Sequence, residues 1–119
     1  MTVATTLFIL NDPPYGTVRS YNALRLASAL SKTGAEPVRV FLIGEGVVCA
    51  HGHQKVPQGH YNIEVMLKAV AKHGGEIGVC SSCMDDRGIS DAELVEGTRR
   101  SSMDELSAWT GGADKVLVF

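Results

Sequence analysis

Apolar positions along this chain follow two alternating rhythms: short continuous runs, and longer stretches with helical spacing. Thr6-Leu7-Phe8-Ile9-Leu10 is a run of bulky residues and predicts a buried strand. Asn11-Asp12-Pro13-Pro14-Tyr15-Gly16 stops it with turn-forming residues. A helix is then expected from about Thr17, its candidate N-cap, with Ala23, Leu26, Ala27 and Leu30 at i, i+3, i+4, i+7 on the inner face. Gly34 is placed to close it as a C-terminal cap. Val38 to Ile43 predicts a second strand, broken by Gly44, and Glu45 to Ala50 has room for a helical turn or two. His51 to His60 holds Gly52, Pro57 and Gly59 with little apolar content, and reads as a loop long enough to have a function.

The second half repeats the alternation. Ile63, Met66, Leu67, Val70 and Ala71 fill the i, i+3, i+4, i+7, i+8 template, with Asn62 as candidate N-cap and Gly74-Gly75 as the stop. Glu76-Ile77-Gly78-Val79 predicts a strand that runs out at Cys80. Ser90 is read as the cap of a short helix through Val95, ended by Gly97, and Thr98-Arg99-Arg100 as a short strand. Ser102 and Glu105 have capping-box spacing ahead of a last helix whose buried side is Met103, Leu106 and Trp109, ended by Gly111-Gly112. Lys115 to Phe119 is a final strand. Strands alternating with helices, the strands nearly all apolar, predict an α/β fold with a parallel sheet covered on both faces.

Composition narrows the class. With 119 residues, the chain is expected to be a single domain, 1–119, able to bury roughly two-thirds of its unfolded surface without disulfides or a structural metal. A formal net charge of −2 gives no electrostatic case for nucleic acid or an anionic membrane as partner. No apolar run approaches the ~20 residues that span a bilayer. The opening Met1-Thr2-Val3-Ala4-Thr5-Thr6 lacks the basic start of a signal peptide, and three cysteines do not make a paired disulfide framework. A cytoplasmic protein with reduced thiols is expected.

The candidate chemistry is Cys80-Ser81-Ser82-Cys83 at the end of the short third strand, since ligands and reactions gather at the carboxyl ends of strands in open α/β sheets. Four readings of the pair stand open. A zinc site needs four ligands and one Cys-x-x-Cys supplies two; Cys49, His51, His53 and His60 would have to complete it at a spacing that matches no known pattern, so no metal is expected. A thioredoxin-type dithiol belongs after the first strand of its βαβ unit, and this one follows a later strand. Two small residues in a buried turn are the plain alternative. The fourth is a nucleophilic thiol that carries or attacks a persulfide. Arg87 is the nearest cation in sequence and a candidate to activate that thiol; the competing role is tying its loop to Asp85 or Asp86. Pro14-Tyr15-Gly16, at the same sheet edge, and Tyr61-Asn62, ahead of the central helix, are candidate binding residues that also read as a turn and as an anchor with its cap. The four histidines read as solvated loop positions, and Trp109 as core or interface.

Cys-x-x-Cys-x-Asp-x-Arg-Gly-Ile at positions 80–89 and Leu-x-x-Trp-Thr-x-x-Ala-Asp-Lys-Val-Leu-x-Phe at 106–119 resemble the DsrE/DsrF-like family, in particular its YchN-type branch. Pro14-Tyr15-Gly16 and Gly59-His60-Tyr61-Asn62-Ile63 fit the same pattern, so the resemblance spans essentially the whole chain. It implies a Rossmann-like or flavodoxin-like three-layer fold with a mostly parallel sheet of four or five strands, and homo-oligomers, a trimer or a hexamer; no cofactor is expected. Relatives in the TusBCD and DsrEFH complexes relay sulfur as a cysteine persulfide between donor and acceptor proteins. Their sulfur-bearing cysteine corresponds to Cys80, ahead of the Arg87-Gly88 pair; Cys83 matches a second cysteine of the YchN branch. Cys49-Ala50-His51-Gly52-His53 matches no family motif.

Overall fold

The computed structural model describes residues 4–34 and 36–119, so Met1-Thr2-Val3, the start of the segment weighed as a leader, lies outside the described residues. Five strands form one sheet: β1 (Thr6–Leu10), β2 (Val38–Leu42), β3 (Glu76–Cys80), β4 (Thr98–Ser101) and β5 (Lys115–Val118). Their order is β4-β3-β2-β1-β5, and every neighbouring pair is parallel. The sheet is thus wholly parallel and has five strands, consistent with a three-layer α/β fold.

The helices are α1 (Arg19–Thr33), α2 (Ile63–Lys72), α3 (Ser81–Asp86) and α4 (Met103–Gly112). Single 3-10 segments cover Gly44–Ala50 and Asp91–Glu93. The connections from β1 to β4 all step the same way across the sheet, and the last one returns from β4 past three strands to β5. Right-handed crossovers put the first set of helices on one face and α4 on the other. α1 and α2 accordingly pack side by side, and Trp109 of α4 meets Phe41 of β2 edge-on, ring centroids 6.3 Å apart.

Packing explains where the helical faces differ from the periodicity. α1 buries Ser20, Ala23, Leu24, Ala27 and Ser31, while Leu26 is 41% exposed. The inner stripe contains two serines whose hydroxyls are satisfied by Asp12 O and Ala27 O, so polarity hid the true face. Val18, not Thr17, is the N-cap; Gly34 closes the helix in the left-handed conformation, φ 67°. α2 buries Ile63, Leu67 and Val70, with Asn62 Oδ1 accepting from Val65 N at 3.2 Å as its cap.

Two regions depart further. The helical turns between Cys80 and Gly97 lie at Ser81–Asp86, and Ser90 opens only the 3-10 turn Asp91–Glu93. The reciprocal capping box forms at Ser90 and Glu93, whereas the Glu105 side chain is drawn away to Arg99 and Ser101. Met103 is 61% exposed, so the buried residues of α4 are Leu106 and Trp109, and the helix runs through Gly111-Gly112 to a cap at Ala113. Gly46 has no room for a side chain: a Cβ there would lie 2.1 Å from Leu10 O, where the 3-10 segment crosses the end of β1.

Candidate functional site

Cys80 is both the last residue of β3 and the N-cap of α3, at φ −56°, ψ 119°. It is opposite Ser101 of β4 in register and only 6% exposed. Three residues on, the first turn of α3 returns Cys83 over it. Burial alone disfavours ionisation of Cys80. The neighbouring Cys83 thiol and Ser82 hydroxyl, with the N–H groups of Cys83 and Ser82, outweigh burial and hold this thiol below the usual cysteine range. Ser82 Oγ stands 3.4 Å from Cys80 Sγ; the two N–H groups favour the anion without closing a full capping hydrogen bond. Cys83 goes the other way. Burial and the neighbouring Cys80 push it up, although Gly44 N–H donates to its Sγ at 3.3 Å. The pair is therefore polarised, with Cys80 the readier anion and Cys83 the proton holder.

Arg87 does not approach the Cys80 thiol by any hydrogen bond. Its Nε and Nη2 donate to Glu45 Oε1 at 3.2 and 2.6 Å, and its Nη1 donates to Cys83 O at 3.0 Å. It ties α3 to the segment after β2, with Glu45 and not Asp85 or Asp86 as its acid. Gly88 ends α3 at φ 66°, its N–H on Asp85 O, a conformation that favours glycine. The cation that braces the thiol turn is Arg100 on β4. It donates to Ser81 Oγ and Asp85 Oδ1 through Nη1, at 2.6 and 3.1 Å, and to Asp91 Oδ1 through Nε at 2.8 Å. Nothing near Arg100 in sequence marks it; only the pairing of β4 beside β3 brings it there. Glu45 and Gly44 were hidden in the same way.

Cys80, Ser81, Ser82, Asp85, Ser102 and Met103 line an open cavity of about 280 Å³ between α3 and the start of α4. Pro14-Tyr15-Gly16, Tyr61 and Asn62 assemble with one another instead. Tyr15 Oη accepts from Ile63 N at 3.1 Å, and the rings of Tyr15 and Tyr61 lie 5.5 Å apart. Pro14 is buried, Gly16 has φ 98°, and Tyr61 Oη donates to Thr17 O at 3.4 Å. Tyr15 lines a separate cavity that shares no residue with that of Cys80.

Cys49 is a buried thiol, 1% exposed, bonded to Asp12 O at 3.5 Å and pushed up to about 12 by burial. His51 Nε2 meets Glu93 Oε2 at 3.0 Å, and His53 places its N–H on Glu64 Oε1 at 2.7 Å. Among the described residues, no three or more His, Cys, Asp or Glu side chains come together to hold a metal ion. No helix among them is long and apolar enough to cross a membrane.

The family model of DsrE/DsrF-like proteins matches residues 5–119. This chain belongs to the DsrE/DsrF-like family. Protein YchN of Escherichia coli is 37% identical over 114 residues, 95% of this chain and 97% of YchN. An uncharacterised protein of Methanocaldococcus jannaschii is 34% identical over 111 residues, covering 93% of this chain and 96% of that protein. The crystal structure of Escherichia coli YchN superposes with a TM-score of 0.90 at 34% identity, over 98% of this chain and 99% of that one. This DsrE/DsrF-like chain thus shares the YchN fold over 98% of its length.

Proposed function

We propose that this protein handles sulfur as a persulfide on Cys80. The observation that carries the reading is the placement of Cys80: at the carboxyl end of β3, on the wall of an open cavity, with Ser82 Oγ 3.4 Å from its Sγ and Cys83 one helical turn on, its thiol held below the usual cysteine range while that of Cys83 is pushed up. The thiolate is the nucleophile in sulfur exchange. Cys80 thiolate attacks the outer sulfur of a donor persulfide, R–S–SH. The new bond makes Cys80–S–SH, the old S–S bond breaks, and R–S⁻ leaves with its electron pair. An acceptor thiolate reverses the step. Ser82 Oγ and the Cys83 thiol stand where they stabilise sulfur anions at both stages.

A second outcome is open to the same pair. Attack of Cys83 thiolate on Cys80 Sγ closes a disulfide and expels hydrosulfide, so the dithiol is oxidised and the carried sulfur reduced. The raised Cys83 thiol keeps this step slow near neutral pH, which favours carriage over release. Donor and acceptor proteins are its expected partners, and self-association its expected state.

The test is intact-protein mass spectrometry after incubation with a low-molecular-weight persulfide. One added sulfur atom should map to Cys80. Cys80→Ser should take none, and Cys83→Ser should keep its sulfur longer than the wild type. Loading of Cys80→Ser equal to that of the wild type would overturn the assignment.

A further inference from the structure

A second site lies away from the thiols. Tyr15, Lys55, Val56, Pro57 and His60 line a cavity of about 200 Å³. It sits where the loop after β1 meets the loop leading into α2, on the carboxyl side of the sheet where open α/β folds bind ligands. Its walls are apolar and aromatic: Val56, Pro57, and the Tyr15 and His60 rings, whose centroids are 5.6 Å apart at 47°. Behind them Tyr61 stacks on His60 at 4.4 Å and on Tyr21 at 4.1 Å, so the ring wall is braced.

The polar groups of this cavity are all donors or unspent. Among the described residues, no carboxylate lies within ion-pair distance of Lys55. No hydrogen bond among the described residues engages either ring nitrogen of His60. Tyr15 Oη accepts from Ile63 N at 3.1 Å, and among the described residues no acceptor takes its own O–H proton. No acidic side chain lines the cavity. A bare array of rings would suit a cation, but the lysine in the wall opposes one. The volume is below the ~300 Å³ at which drug-sized pockets begin, which favours a small ligand.

We infer that this cavity binds a small carboxylate with a flat or short apolar body, its anionic end toward Lys55 and Tyr15 Oη and its body between Pro57, Val56 and the rings. The site goes beyond the persulfide reading and does not rest on it. It gives a protein with one reactive thiol turn a separate place for a small metabolite-like anion.

Titration of the isotopically labelled full chain with sodium benzoate, followed by amide chemical shifts, tests this. Saturable shifts are expected at Tyr15, Lys55, Val56, His60 and Ile63. Benzamide has the same body without the charge, and loss of one charge-assisted hydrogen bond should weaken it about tenfold. Lys55→Gln, a change on an exposed loop side chain, should weaken benzoate by a similar factor and leave benzamide unchanged. Cys80→Ser should bind benzoate as the wild type does, which separates this site from the thiols. The inference is overturned by a lack of saturable shifts, by equal affinities for benzoate and benzamide, by wild-type benzoate binding in Lys55→Gln, or by shifts centred on Ser82 and Met103.

Discussion

At the scale of single residues, three thiols in one small protein have three different chemistries, and each difference has a stated cause. Cys80 is lowered by donors at the start of α3, Cys83 is raised by burial and by Cys80, and Cys49 is raised to about 12 by burial beneath the β1 loop. Alkylation by iodoacetamide against pH should therefore show a first midpoint below the ~8.5 of a free cysteine, lost in Cys80→Ser. Cys83→Ala should raise that midpoint, because it removes the leading donor to the Cys80 anion. Arg87→Ala should leave it in place, because the guanidinium is spent on Glu45 and Cys83 O; a clear rise in Arg87→Ala would return Arg87 to an activating role. Cys49 makes a different prediction. The unfolded chain releases this proton near 8.5 while the folded chain keeps it to about 12, so between those values the unfolded state binds fewer protons and stability falls as pH rises. The slope from this one group is about 1.4 kcal/mol per pH unit. Urea melts from pH 8.5 upward should show it in the wild type and not in Cys49→Ala, whose overall stability is lower.

At the scale of elements, the site depends on α3 being held in place. Six residues make a helix too short to persist by propensity, and Met84 is its one buried residue. Arg100 supplies the missing restraint through Ser81, Asp85 and Asp91. Arg100→Ala should speed amide exchange over Ser81 to Gly88 while β1 and β2 stay protected, and should raise the Cys80 midpoint as the α3 amides drift. Unchanged exchange over α3 would remove Arg100 from this role. The same facts explain what could be read from the sequence. β1, β2, β3 and β5 were legible as apolar runs, and α2 as a complete helical stripe capped by Asn62. α3 was not legible, because Ser81-Ser82-Cys83-Met84-Asp85-Asp86 has no apolar period and its cap is a cysteine. The α1 face was misread because serines bonded to backbone carbonyls occupy inner positions. Within the site, Cys80 and Cys83 could be found from motif and strand-end position. Arg100, Glu45 and Gly44 could not, since each arrives from another element through sheet pairing.

At the scale of the whole molecule, the two faces of the sheet are unequally covered. α1 and α2 shield one face, while the other carries α4 alone. In register, Leu7 and Ile9 of β1 stand beside Val116 and Val118 of β5 on the α4 side, and Val118 is 65% exposed with Val116 39% exposed. Among the described residues, β5 is also an edge strand, with no strand paired to its outer side. Exposed β-branched residues on an open edge are an association surface or a liability. Self-association through β5 is the expected use, in line with the oligomers that the family resemblance implies. The thiols do not obstruct it. Cys80 is on β3, three strands away from β5, a separation of about 14 Å at ordinary strand spacing. Val118→Lys places a charge in that contact without touching the core, so sedimentation should move from an assembly in the wild type to a monomer in the variant. Alkylation of Cys80 should be the same in both. A wild-type monomer at micromolar concentration would refute assembly, and a fully assembled Val118→Lys would show that β5 is not where it occurs.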